Sequence, residues 1–139
     1  MSISELKDHY ETKYAHEAGG QSSALVVDWE LPTNRFQAAV LAAHVHFKGG
    51  SILELGSGDG NVSRTLLSSL PGVDSYVLSD WSESRVKGLQ STVNDPRASV
   101  ALVDAEHIPS AFENKFDAVI IVPLIEHLIE PITAMGRIR

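Results

Sequence analysis

Three carboxylates stand at or just inside the ends of apolar runs: Glu54 in Ile52-Leu53-Glu54-Leu55, Asp80 after Tyr76-Val77-Leu78-Ser79, and Asp104 after Ala101-Leu102-Val103. Between the first two lies Gly56-Ser57-Gly58-Asp59-Gly60-Asn61, with three glycines at alternate positions and a helical pattern directly after them. Glycines let the backbone turn with positive φ and let a ligand approach it closely. A helix starting there points free N–H groups into the same turn. Asp80 follows Gly60 by twenty residues, a spacing that suits a carboxylate accepting from both hydroxyls of a ribose. The third glycine of the usual dinucleotide pattern is missing, since Asn61 follows Gly60 directly. Glu54, at the strand end facing the turn, would repel a pyrophosphate and suits an ammonium group. A ligand with a nucleoside and an amino-acid portion fits these features better than one with phosphates. A nicotinamide oxidoreductase and a non-catalytic binding module remain the competing readings.

The elements that must position these groups alternate between strand and helix. Ser75–Asp80 reads as a strand, followed by a helix that Ser82 can cap, with Val86, Leu89 and Val93 inward. A third strand covers Ser99–Val103, and Phe116–Val122 is a fourth, ended by Pro123. A last helical pattern begins near Ile125 or after Pro131. The alternation specifies a parallel sheet with right-handed crossovers, and ligands then bind beyond the carboxyl ends of the strands. The three carboxylates therefore converge on one crevice.

Upstream, Ile3, Leu6, Tyr10 and Tyr14 recur on one face of a helix over residues 3–18, stopped by Gly19-Gly20. This is a packing helix or a lid with Tyr10 or Tyr14 at the ligand's edge. Residues 19–33 read as a loop closed by Leu31-Pro32-Thr33. A helix over Asn34–Phe47 follows, capped by Thr33 or Asn34, with Phe36, Val40, Ala43 and Phe47 as its buried stripe. Arg35 sits at that helix start, where the dipole disfavours a cation, which makes it a candidate for a ligand carboxylate as well as an ordinary solvated side chain. His44 and His46, two residues apart, face different ways and do not readily share a metal. The organisation expected is an N-terminal helical cap and sheet-packing helix over residues 1–48 and an α/β core over 49–139.

Length allows one domain with a real core. Eleven basic against eighteen acidic residues give a net charge of −7, with no basic block, which weighs against a surface that grips a nucleic-acid backbone. There is no cysteine, so disulfides, thiolate metal sites and a thiol nucleophile are excluded. The N-terminus is polar with no apolar signal core, and no stretch approaches the length needed to cross a bilayer. A cytoplasmic protein without membrane contact is the expectation.

Glu54-Leu55-Gly56-Ser57-Gly58-Asp59-Gly60 resembles the first motif of class I S-adenosylmethionine-dependent methyltransferases. Asp80 matches the acidic end of their second strand, Val103-Asp104-Ala105-Glu106 their third motif, and Phe116-Asp117-Ala118-Val119-Ile120 their fourth strand. Leu124-Ile125-Glu126-His127-Leu128 looks like the segment that follows in many small-molecule members. The resemblance implies a Rossmann-like, doubly wound α/β fold and S-adenosylmethionine as cofactor. It implies that Glu54 orients the methionine ammonium, that Gly56, Gly58 and Gly60 let the ligand lie on the backbone, and that Asp80 holds the ribose beside Trp81. Asp104 and the Ala105 N–H would read the adenine, and Val122 and Pro123 would line the floor near the methyl group. Tyr14 and Arg35 would close the methionine end, as N-terminal residues do in some relatives. His127, with Glu126 beside it, is either a base or substrate contact or a residue tied to local backbone. Pro123 stands where some relatives carry an additional metal-binding glutamate, so no metal is expected.

The family sheet has seven strands, and this sequence supplies four. The continuous apolar run at Ala118–Val122 suits a strand with neighbours on both sides. A truncated chain is therefore expected, lacking strands 5–7, or one completed by a partner or second copy. The cofactor half lies within these residues, and much of the site for a small-molecule acceptor would lie outside them.

Overall fold

The computed structural model describes residues 3–16, 24–44 and 49–138; side chains are described within these except at Ile3, Tyr14, His16, residues 24–31 and His44. The elements run α1 (Ile3–His16), α2 (Ala24–His44), β1 (Ser51–Leu55), α3 (Asn61–Ser69), β2 (Ser75–Asp80), α4 (Glu83–Thr92), β3 (Ala98–Leu102), β4 (Ala118–Ile121) and α5 (Pro131–Arg137). Single 3₁₀ turns occupy Ser110–Phe112 and Ile125–His127. The strands form one parallel sheet in the order β3-β2-β1-β4. Leu55 pairs with Ser79 and Ile121, and Asp80 with Leu102. That register brings the glycine turn and the segments after β2, β3 and β4 to one end of the sheet.

Strand side chains alternate between two faces. Ile52, Tyr76, Leu78 and Ile120 join Leu66, Leu67 and Leu70 of α3, Leu89 of α4 and Ala38 of α2 in one core. Leu53 and Leu55 join Val103, Ala105 and Leu124 on the other face, with Phe112, Phe116 and Leu128 packed at its margin. Both faces of β1 are thus covered, as a central parallel strand requires. Arg97 ties α3 to the start of β3: its guanidinium donates to the Leu70 and Leu67 carbonyls at 3.1 and 2.6 Å while Asp95 holds it at 2.8 Å. This satisfies C-terminal carbonyls of a helix whose last turn carries no basic residue.

Two expectations for α2 fail. No break separates a loop from a helix at residue 33: the helix runs from Ala24 through Pro32, so neither Thr33 nor Asn34 caps it. A proline removes one helical hydrogen bond and strains a turn, but packing of the downstream half against α3 outweighs this local signal. The inward face is also not the expected one. Phe36 is 70% and Val40 42% exposed, while Ala38 is fully buried with Leu41 and Ala42 beside it. Both stripes satisfy the helical period, and a small side chain at the contact lets two helices approach closely. The Gly19-Gly20 stop, His46 and Phe47 lie outside the described residues. Among the described residues, no helix is long and apolar enough to cross a membrane.

Candidate functional site

The glycine turn is built by its own backbone and two serines. Gly56, Gly58 and Gly60 have φ of 72°, 53° and 72°. The Ser57 N–H donates to the Ser79 carbonyl and the Gly60 N–H to the Ser57 carbonyl, both at 2.8 Å. The Ser79 hydroxyl donates to the Glu54 carbonyl at 2.7 Å, so the turn is stitched to the ends of β1 and β2. Its glycines serve different ends. A side chain at Gly58 would meet nothing within 4 Å, whereas a Cβ at Gly60 would lie 2.8 Å from Leu89 of α4. Gly58 leaves room over the turn, and Gly60 lets α4 pack beneath it.

Asp80 is 6% exposed. One carboxylate oxygen accepts from the Gly58 N–H and the other from the Ser82 N–H, each at 3.0 Å. It therefore fixes the turn and the start of α4 together; with the Trp81 N–H also on the carboxylate, acceptor capacity still remains. Burial raises its pKa above the ordinary value, against the opposing effect of these N–H groups and Arg85. Ser82 caps α4 by accepting from the Arg85 N–H, as expected. Asp104 accepts from the Glu106 N–H at 2.9 Å, from Lys7 Nζ at 3.2 Å, and lies 3.2 Å from His107 Nδ1. Burial raises its pKa, but these three partners outweigh burial and hold it below the ordinary value.

A cavity of about 450 Å³ opens over the carboxyl ends of the strands. Gly56, Gly58, Asp80, Trp81, Asp104, Ala105, Val122 and His127 all line it. Its walls carry the carboxylates of Asp59, Asp80, Asp104 and Glu106 against the cations Lys7 and Arg85. This excess of negative charge favours a cationic ligand over a phosphate-rich one.

Four other expected residues are placed differently. Glu54 is fully buried on the α3 side of β1, not at the cavity wall. Its Oε2 accepts from Ser63 at 2.6 Å and Tyr76 at 2.5 Å, because period-two alternation aims it with Ile52 toward α3. Burial raises its pKa, partly countered by Ser63 and Tyr76; burial and then the Glu54 charge raise that of Tyr76. Gly60 packs on Leu89 and is not part of the wall. Arg35 is exposed and off the wall, while its neighbours Thr33, Asn34 and Gln37 are on it. Glu126 is exposed and also off the wall. The Tyr14 side chain lies outside the described residues.

Several wall residues were not singled out in the sequence, Lys7 among them. α1 lies across the cavity mouth with Leu6, Lys7 and Tyr10, the arrangement in which Tyr10 stands at the ligand's edge. It is pinned to the N-terminus of α4, where Glu11 accepts from the Glu83 N–H at 2.8 Å and the Ser84 hydroxyl at 3.0 Å, a favourable place for a carboxylate. Arg85 pairs with Asp59; as a cation in the first turn of α4 it carries the same signal that drew attention to Arg35. Gln37 carries no sequence signal. Its Oε1 and the Glu54 Oε1 are sealed from solvent with no hydrogen-bond donor among the described residues.

Comparison with known proteins agrees with this arrangement. Residues 52–138 match the family described as methyltransferase domain. A comparison with curated proteins returned no match. Among solved structures, the chain is similar to a protein assigned as a methyltransferase in complex with the Haloferax volcanii Trm112 methyltransferase activator, at 20% identity and a TM-score of 0.68, covering 88% of this chain and 51% of that one. It is similar to a Methanococcus maripaludis protein assigned as an S-adenosyl-L-methionine-dependent methyltransferase, at 17% identity and a TM-score of 0.68, covering 92% and 57%. The plantazolicin methyltransferase BpumL, solved with SAH, is similar at 18% identity and a TM-score of 0.63, covering 98% and 56%. The chain thus spans little more than half the length of these structures. The strand order, the glycine turn at the carboxyl end of β1 and the match over residues 52–138 lead to one conclusion: this chain belongs to the methyltransferase domain family.

Proposed function

We propose that the chain binds S-adenosylmethionine and serves as a methyltransferase, or as the cofactor-binding part of one, toward a small-molecule acceptor. The observation that carries this reading is the single cavity wall on which Gly58, Asp80 and Asp104 converge, with carboxylates outnumbering cations. The residues present fit the cofactor. Gly58 leaves open space above the turn, and the Asp80 carboxylate keeps acceptor capacity for a ribose hydroxyl. Asp104 and the Ala105 N–H would hold the adenine, with Trp81 beside it. Gln37, Thr33 and Asn34, which line the cavity, would stand at the methionine end. In this reading Glu54 would act from behind, through the turn it supports.

When bound, the cofactor supplies a methyl group activated by the sulfonium. The protein then mainly positions and excludes water. His127, on the cavity wall, would take a proton from a hydroxyl or amine acceptor. Glu126 has no direct part in this reading.

Isothermal titration with S-adenosylhomocysteine and, separately, NAD tests the proposal. Saturable binding of S-adenosylhomocysteine is expected. Binding of NAD alone would sink the proposal in favour of an oxidoreductase.

A further inference from the structure

Tyr10 joins the two halves of the cavity. Its hydroxyl oxygen lies 3.3 Å from His127 Nδ1, and its ring meets Trp81 edge-on, with centroids 5.8 Å apart and planes at 81°. Both Tyr10 and His127 line the cavity. The pair brings together residues 117 positions apart, and the docking of α1 keeps it in place. Glu11, one residue on, is bonded to the start of α4, and Lys7, one turn back, to Asp104. On the other side, the His127 N–H donates to the Leu124 carbonyl at 2.9 Å. That bond fixes the backbone and leaves the imidazole free to rotate about its side-chain torsions, so the ring needs a partner of its own.

We propose that Tyr10 is a positioning residue for His127: its oxygen accepts the Nδ1–H and so keeps Nε2 unprotonated as the proton acceptor of the site. The proposal rests on the methyl-transfer reading above. A neutral imidazole has one N–H, and a hydrogen bond at one nitrogen decides whether the other can take a proton. A tyrosine hydroxyl can accept at its oxygen and donate its own proton elsewhere, so it can hold this tautomer without becoming charged. In the step served, the O–H or N–H proton of the acceptor passes to Nε2 and the bonding pair stays on the acceptor heteroatom. The imidazole becomes an imidazolium that retains its Nδ1–H on Tyr10. Leu6, Val122, Leu128 and Ile129 also line the cavity. The acceptor class implied is a small molecule with an apolar portion and a hydroxyl or amine group.

The test is the tautomer of His127, read by long-range ¹H–¹⁵N correlation on the full chain labelled at histidine, with no ligand added. The wild type is expected to show the Nδ1–H form. Tyr10→Phe, which keeps the ring against Trp81, is expected to shift it toward the Nε2–H form that free histidine favours. An Nε2–H tautomer in the wild type overturns the proposal, and that result needs no variant to fold. An unchanged tautomer in folded Tyr10→Phe overturns it too. The measurement is independent of the S-adenosylhomocysteine titration: absent binding there removes the cofactor reading, whereas the wrong tautomer removes only the role of Tyr10.

Discussion

Replacing Asp80 separates a ligand contact from a structural one, because its carboxylate does both jobs in measurable amounts. Two backbone N–H groups, of Gly58 and Ser82, bond to it at 3.0 Å. Hydrogen bonds to a charged acceptor contribute about 1.5–3 kcal/mol each. Part of this offsets the cost of burying the carboxylate, a cost visible in its raised pKa. Asp80→Ala should therefore destabilise the chain by about 2–4 kcal/mol, lowering the melting temperature by about 6–15 °C. It should also remove the acceptors of the ribose hydroxyls, weakening S-adenosylhomocysteine binding by about 1–3 kcal/mol, or about 5- to 150-fold. Asp80→Asn retains one acceptor oxygen and turns an amide toward one of the two N–H groups, so it should lose less stability than Ala and still bind more weakly than wild type. Calorimetry well below the melting temperature, paired with a thermal melt, reads both quantities. Unchanged affinity in either folded variant refutes the ribose assignment. Unchanged stability in Asp80→Ala refutes the argument that this carboxylate holds the turn.

Gln37→Met should hold or raise the melting temperature, because a buried acceptor without a donor is removed; a thermal melt showing a clear loss of stability would contradict that reading of Oε1. Glu54 gives a pH signature. Its folded pKa is raised above the ordinary 4.5 chiefly by burial, so the folded chain keeps this proton to higher pH than the unfolded one. The stability it contributes is complete below the unfolded pKa and is lost as pH rises through the folded value. The stability difference between wild type and Glu54→Gln, from urea unfolding, should shift in favour of the variant as pH increases across that window, and a pH-independent difference would show the reasoning wrong. Gly60→Ala meets Leu89 at 2.8 Å with φ of 72°, so it should cost more than the roughly 1–2 kcal/mol of a left-handed residue alone. Leu89→Ala in the same chain should recover part of that loss in a chemical-denaturation double-mutant cycle.

The sheet and one half of the site were legible in the sequence because both rest on local patterns. A strand ends where its apolar run meets a carboxylate or a breaker, and parallel register then carries Asp80, Trp81, Asp104, Ala105 and Val122 to one end of the sheet. Composition, the absence of cysteine and the motif order required no coordinates. Tertiary structure decided what local signals leave degenerate. Two helical stripes on α2 have the same period, and close packing on α3 selected the one with Ala38 over the one with Phe36. The same packing carried the helix through Pro32. Glu54 reads as a ligand carboxylate beside a glycine turn, yet strand alternation buries it against Ser63 and Tyr76. Gln37 and Tyr10 reach the cavity only because α2 and α1 dock beside strands far from them in sequence. Sequence alone determined which end of the sheet would carry chemistry, since that follows from strand direction and breaker positions. Only the tertiary structure determined which helix faces close over it, since that is set by side-chain volume and by hydrogen bonds between distant segments.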